Sequence, residues 1–181
     1  AGLLASIEAL PEQNQSSVAA LGVFDEETLL SLELGWQLDW TQFDLRSRLA
    51  LFTMDREDQQ AKGSLVIPRA DGSTAFIDYT DNAAASEHRG LEWELQWRPT
   101  RRMAAELTLG LLETQFDRYI TATGADLSGR DQPQAPDWQY SAGFTWQATA
   151  LISVQLEVAG SDGYFFSDRH DVRSPETHQL N

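Results

Sequence analysis

The stretch LSLELGWQLDW, residues 30–40, decides the fold. It alternates a leucine or tryptophan with a small or polar residue at every one of its positions. Successive side chains of a β-strand point to opposite faces, so the pattern predicts a strand with one apolar face and one polar face. An α-helix would spread the same leucines and tryptophans around its whole circumference.

A second strand is predicted directly after the first, over residues 43–53. Only residues 41–42 separate the two stretches, which predicts a hairpin with a two-residue loop. In that hairpin Trp40 lies opposite Phe43, and the apolar faces of the two strands coincide along their length. Ser47 is the one polar residue that interrupts the apolar face of the second strand.

The same alternation recurs at residues 91–98, 105–111, 138–147 and 152–158. We therefore predict six strands in three hairpins, followed by the start of a seventh strand near Leu180. The turns inside the hairpins are short, whereas the connections between hairpins are long and polar, at roughly 54–89, 117–137 and 161–177. Residues 1–27 are interpreted as a loop or a preceding barrel segment, in which Leu3–Leu10 fits a short helix.

The sequence also indicates which face meets water. The predicted strands are long enough to cross a bilayer when tilted, and short turns on one side with long loops on the other are typical of outer-membrane barrels. Aromatic residues cluster near both strand ends, where the two membrane interfaces would lie: Trp40, Phe43, Trp97 and Trp146 near the turns, and Phe116, Tyr119, Trp138, Tyr164, Phe165 and Phe166 near the loops. The expected fold is all-β, an incomplete antiparallel transmembrane β-barrel of about six to seven strands. A soluble β-domain remains the alternative.

Composition excludes several functions. The 181 residues carry a formal net charge of -15, which disfavours nucleic acid as a partner, and the absence of cysteine excludes disulfides and thiol chemistry. The sequence contains no nucleophile-elbow, P-loop or dinucleotide-binding motif. It also contains no metal-binding motif of the H-x-x-x-H or H-E-x-x-H type. We therefore expect no catalysis, no protein-bound metal and no cofactor.

Four segments resemble TonB-dependent outer-membrane receptors. Residues 27–35, ETLLSLELG, are similar to the family's P-E-T-x-x-x-Y-E-L-G segment, with Glu26 in place of the proline and Leu32 in place of the aromatic residue. Residues 89–99 resemble its x-G-h-E-h-E-h…R-P strand and turn. Residues 110–117, GLLETQFD, resemble its G-Y-x-D-A-x-F strand end, and residues 126–136 resemble its L-x-G-x-x-L-P-x-A-P loop. The resemblance covers about residues 25–181.

The resemblance implies a location and a function. Such receptors are barrels of about 22 strands, closed by an N-terminal plug, that import scarce ligands with energy from TonB. Residues 28–181 would then be an internal part of the C-terminal half of an outer-membrane barrel. The implied ligand is a ferric siderophore, and the implied partners are outer-membrane lipid and the TonB complex, which would act through a plug outside this sequence. A soluble extracellular domain that binds a carbohydrate or a protein, and a passive porin, remain open as alternatives.

Candidate ligand-binding residues lie in the long loops, because arginines and aromatic rings suit an anionic ferric chelate. They are Arg118, Tyr119, Arg130, Tyr164 and Arg169. A second group of charges falls on the polar face of the strands, where it would line the barrel lumen: Glu33, Arg46, Arg48, Glu92, Glu94 and Glu106.

Overall fold

The structure, a computed structural model, describes residues 24–68, 72–121 and 124–181. It contains an antiparallel sheet in which neighbouring strands follow the order of the chain. The strands are β1 (Thr28–Trp40), β2 (Leu45–Pro68), β3 (Thr74–Thr100), β4 (Met103–Tyr119), β5 (Trp138–Gln147), β6 (Ser153–Ser161) and β7 (Thr177–Leu180). The all-β prediction and the seventh strand near Leu180 are confirmed. The helix considered for Leu3–Leu10 lies outside the described residues, and the described part contains no helix long and apolar enough to cross a bilayer.

The chain forms two compact units. Of the described residues, the first unit contains those from Phe24 to Leu29 together with those in Arg56–Ser86 and Phe116–Gly129, and the second contains Leu30–Asp55, Glu87–Gln115 and Arg130–Asn181. All seven strands contribute residues to the second unit. The two units are described separately below.

The strand register of the second unit sorts side chains into rows. Leu107 lies opposite Ala142, Ala142 opposite Val158, and Val158 opposite Leu180, so one apolar row crosses four strands. One position along, Glu106 lies opposite Gly143, which lies opposite Glu157. Cross-strand partners share a face of the sheet, so the apolar and polar rows lie on opposite faces, as the alternation predicts.

The apolar face of the sheet is exposed. Leu34 is 71% exposed, Leu156 48% and Leu180 70%, and further large apolar residues on this face are also open, among them Trp36, Trp40, Trp97, Phe144, Trp146 and Val154. In a soluble β-sandwich a second sheet covers such a face. The second unit therefore presents a continuous apolar surface.

Ser47, the interruption in the apolar face of β2, has a specific partner. Its side chain is buried, and its Oγ accepts a hydrogen bond of 3.0 Å from the indole Nε1 of Trp93 on β3. A buried indole N–H without a partner is costly, so this serine satisfies the donor that a neighbouring tryptophan brings to the apolar face.

The loop of the first hairpin is longer than predicted. Thr41–Phe43 forms a 3-10 turn and β2 starts at Leu45, so the connection has four residues rather than the predicted two. Asp44 closes the turn in the left-handed conformation, with φ +47°, and its N–H lies 3.2 Å from the Thr41 carbonyl. Aspartate adopts this conformation more readily than most residues. The alternation of apolar residues gives no information about the length of this turn.

The prediction of a long connection over residues 54–89 is also wrong. β2 continues to Pro68 and β3 begins at Thr74, so most of this segment extends the second hairpin instead of forming a loop. The segment is rich in aspartate and alanine and has no sustained alternation of apolar and polar residues. A strand without one apolar face gives no period-two signal, and its composition then looks like that of a loop.

The first unit has a small core of its own. Ala83 and Ala84 of β3 pack with Phe116 and Tyr119 of β4 and with Leu127. The segment that carries Leu127 folds back along the end of β4, since the Leu127 N–H donates to the Tyr119 carbonyl at 2.8 Å. Small alanine side chains allow the aromatic rings and this segment to pack closely on the strand.

Candidate functional site

Two of the three predicted long connections are present, at residues 120–137 and 162–176. Within the second unit, residues 130–137 of the first connection contact the second connection. Arg130 makes the main polar contact, since its Nη1 donates to the backbone carbonyls of Asp168 at 3.0 Å and Arg169 at 2.8 Å. The Gln134 N–H also donates from the first connection to the second, to the Phe165 carbonyl at 2.8 Å.

His170 makes the reciprocal contact. Its Nε2 lies 2.8 Å from the carbonyl oxygen of Asp131. A carbonyl only accepts hydrogen bonds, so this nitrogen carries the hydrogen. The imidazole also stacks on the ring of Phe165, with centroids 3.9 Å apart and planes within 3°. The guanidinium of Arg173 lies 5.7 Å from the centre of the same phenyl ring, within the range of a cation–π contact.

Arg169 lies in a tight turn that these contacts hold. The N–H of His170 donates to the Ser167 carbonyl at 3.2 Å, which makes Asp168 and Arg169 the central residues of a β-turn. His170 follows them with φ +57°, in the left-handed region. The side chain of Arg169 is exposed, whereas Arg130 is half-buried. The backbone of the turn is therefore bound to the neighbouring loop, and an exposed arginine projects from it.

Tyr164, the third predicted ligand residue of this unit, lies at the base of the 162–176 loop. Its ring packs edge-on against Phe166, with centroids 5.4 Å apart. Its N–H donates to the Ser174 side chain at 2.9 Å, and the Ser174 N–H donates back to its carbonyl at 2.8 Å. The loop is thus closed by its own backbone and presents an aromatic pair next to the turn.

The other two predicted residues belong to the first unit. Arg118 is exposed at the end of β4, whereas Tyr119 is only 6% exposed and forms part of the apolar core. The Tyr119 ring lies 4.9 Å from that of Phe116, and its N–H donates to the Ser128 hydroxyl at 2.9 Å. The structure therefore gathers Arg130, Tyr164 and Arg169 in one unit, and it gives Tyr119 the environment of a core residue.

Sequence reasoning missed Asp131 and Phe165 as partners in the contact between the loops. Asp131 contributes a backbone carbonyl, for which no residue type gives a signal. Phe165 was visible only as one of three consecutive aromatic residues near a loop. No group of three or more histidine, aspartate or glutamate side chains in the described ranges has an arrangement that could hold a metal ion.

Asp137, which lies outside the strands directly before β5, has an unusual environment. Desolvation of its carboxyl, and then the carboxylates of Asp162 and Asp131, raise its pKa above the ordinary aspartate value of 3.8, while Arg173 acts in the opposite direction. The folded state thus binds this proton more tightly than the unfolded chain does. Ionisation of Asp137 at neutral pH consequently opposes folding.

We expect Asp137→Asn to increase the stability of the folded barrel at pH 7. The gain should shrink as the pH falls through the raised pKa of Asp137 towards 3.8, because the wild-type carboxyl then also becomes neutral. Denaturant unfolding of both proteins across this pH range measures the difference. A gain that is constant or grows on acidification would contradict the assignment.

The polar face of the sheet carries the predicted lumenal charges. Arg46 Nε lies 2.7 Å from an Asp39 carboxylate oxygen, and Arg48 lies 3.9 Å from Glu94. A shallow depression of about 360 Å³ on this face is lined by Glu33, Gln37, Arg48, Glu92 and Glu94, together with neighbouring strand residues. All four ion-pair side chains are substantially exposed, so these pairs contribute little stability.

Comparison with known proteins gives a consistent result. Residues 5–178 match the family described as TonB dependent receptor-like, beta-barrel. No curated protein matches the chain.

Solved structures share the fold at low sequence identity. The ferric yersiniabactin uptake receptor FyuA of Yersinia pestis is similar over 87% of this chain and 22% of its own, with a TM-score of 0.64 and 18% identity. The siderophore receptor PiuA of Acinetobacter baumannii is similar over 96% and 23%, with a TM-score of 0.65 and 16% identity. BauA, the ferric preacinetobactin receptor of the same organism, is similar over 87% and 22%, with a TM-score of 0.59 and 17% identity. The chain spans less than a quarter of the length of these proteins.

Proposed function

This chain belongs to the TonB-dependent receptor β-barrel family, and from that premise we propose that it forms part of an outer-membrane receptor for TonB-energised uptake of a ferric siderophore. Residues 28–181 supply strands of the barrel wall, and the 162–176 loop supplies part of the external ligand surface. A whole receptor of this kind carries out transport and no catalysis.

The observation that carries the proposal is the exposed apolar face of the second unit. Rows of leucine, valine and phenylalanine alternate with rows of glutamate, glutamine and serine, and both faces are open in the same sheet. A lipid-facing apolar wall and a water-filled polar lumen require this combination. The alternative of a soluble β-domain has to leave the same leucines and tryptophans in water, which is unfavourable.

Three features support a ferric siderophore as the ligand. The fold relatives are described as receptors for ferric yersiniabactin, for ferric preacinetobactin and for a siderophore. Arg169 is exposed on the turn of the 162–176 loop, and the same loop carries the aromatic pair Tyr164 and Phe166. An arginine and aromatic rings together suit the charge and the ring systems of many ferric chelates.

Uptake of radioactive iron by the full-length receptor tests the proposal. A strain without the gene, the same strain with the gene restored, and a restored strain without TonB would receive ⁵⁵Fe bound to a catecholate, a hydroxamate and a phenolate chelator. We expect accumulation of at least one chelate to depend on both the gene and TonB. Accumulation that depends on the gene but not on TonB would favour a passive porin, and equal accumulation of all three without the gene would reject the proposal.

A further inference from the structure

We propose that Arg130 and His170 are positioning residues that hold the 162–176 loop in its binding conformation, and that Arg169 alone of the arginines in this contact meets the anionic ligand. The inference rests on the proposed function for the ligand, and on the geometry of the second unit for the positioning role. We call the reciprocal contact of Arg130 and Asp131 with the turn Ser167–His170 the loop clasp.

The clasp is built so that each side donates to the backbone of the other. Arg130 donates to two successive carbonyls of the turn, at 3.0 and 2.8 Å, and His170 donates to the carbonyl of Asp131 at 2.8 Å. A guanidinium can satisfy two carbonyl oxygens at once because its N–H groups are held in a rigid plane. Both hydrogens of the Arg130 Nη1 are used in these two bonds, and the half-buried side chain is directed at the turn.

The turn itself needs this support. His170 has φ +57°, a conformation that costs energy in residues other than glycine. The stacking of its ring on Phe165 at 3.9 Å, together with the bond to Asp131, offsets that cost. Besides the clasp, three bonds within the loop support the turn: His170 N–H to the Ser167 carbonyl, Phe166 N–H to the Val172 carbonyl, and the Ser167 hydroxyl to an Asp171 carboxylate oxygen. The clasp is the part that ties the turn to the neighbouring connection.

Arg169 differs from Arg130 in burial and in role. The backbone carbonyl of Arg169 is bound in the clasp, whereas its side chain is exposed. A ligand that pairs with Arg169 meets a side chain whose backbone is already ordered, so less conformational entropy is lost on binding. The clasp therefore affects affinity without contact between Arg130 and the ligand.

Hydrogen exchange in the full-length receptor tests the positioning role without any ligand. The informative amides are Phe166, which donates to Val172 at 3.0 Å, and His170, which donates to Ser167. We expect Arg130→Met and His170→Phe to speed exchange at both amides by about tenfold or more, since each removes donors from the clasp. Arg130→Lys should restore part of the protection because an ammonium still donates to carbonyls. Arg169→Met is the matched control and should leave exchange within about twofold of wild type.

The three ⁵⁵Fe chelates of the uptake assay provide the second readout. Pairing between an arginine and an anionic ligand weakens with salt. We expect Arg169→Met to remove most of the salt dependence of the half-saturating chelate concentration. Arg130→Met should raise that concentration and leave its salt dependence unchanged. Unchanged exchange in Arg130→Met would overturn the clasp, and loss of salt dependence in that variant would show that Arg130 contacts the ligand directly.

The two proposals can fail separately. If the wild-type receptor takes up none of the chelates, the uptake function fails, but the exchange result still decides whether the clasp holds the loop. Exchange in strands β4, β5 and β6 serves as the internal control for folding. A variant that also loses protection there is replaced by Arg130→Gln, which retains a smaller polar side chain.

Discussion

Leu156→Arg is expected to destabilise the full-length barrel by about 1–3 kcal/mol, because a charged side chain on the lipid face costs about 2–4 kcal/mol at the midplane and about 0–1 kcal/mol at the interface, and Leu156 lies between the two. Leu156 lies opposite Phe144, one apolar row away from the Trp146–Val154 row at the turn end. It is therefore inside the apolar band and not at the interface. Reversible unfolding of the receptor in lipid vesicles, followed by tryptophan fluorescence, measures the loss.

The neighbouring residue provides the control. Gln155 precedes Leu156 in β6, points to the polar face and is exposed. Gln155→Arg should change the free energy of unfolding by no more than about 0.5 kcal/mol, because a surface substitution in contact with water is nearly neutral. If both variants prove equally mild, the apolar face meets water, and the transmembrane interpretation is wrong.

Gly163→Ala is expected to cost about 1–3 kcal/mol and to loosen the 162–176 loop, because the added methyl group has no space. Its Cβ would overlap the backbone oxygen of Ser174, and it would lie 3.3 Å from backbone atoms of Pro175 and Glu176. A flexible side chain can turn away from a new methyl group, but a backbone carbonyl cannot move without displacing the loop. Hydrogen exchange at Tyr164 and Ser174, together with unfolding of the receptor, measures the effect.

A second glycine shows what the same substitution does in open space. A Cβ built on Gly143 meets no atom within 4 Å, and its φ is not in the left-handed region. Gly143→Ala should therefore be neutral or stabilise the strand slightly, since alanine restricts the unfolded chain more than glycine does. A loss of stability as large as that of Gly163→Ala would mean that the lack of space around position 163 is not the cause.

The strands that were predictable are those with one apolar and one polar face. β5 was predicted at residues 138–147 and occupies Trp138–Gln147, because tryptophan, tyrosine and phenylalanine alternate there with polar or small residues. The outer halves of β2 and β3 were missed. The buried run Ala83–Ser86 illustrates the reason, since four small residues in succession pack on both faces and leave no alternation to read.

The candidate site was predictable only in part. Arginines and aromatic residues in the long loops selected the candidate residues, of which Arg130, Tyr164 and Arg169 fall in one unit. The division of roles was not predictable, because Arg130 bonds to carbonyl oxygens, which every residue possesses. The core position of Tyr119 was equally hidden, since it depends on Leu127 folding back along β4.

The strict chain order of the sheet has a consequence for how such walls change during evolution. Among the described strands, neighbours in the sheet are neighbours in the chain, so none of the connections between them crosses another strand. Duplication or loss of one hairpin would then add or remove two strands and leave every other pairing intact. Turns would stay on one side of the membrane and loops on the other, which makes the hairpin the natural increment by which barrels of this design grow wider or narrower.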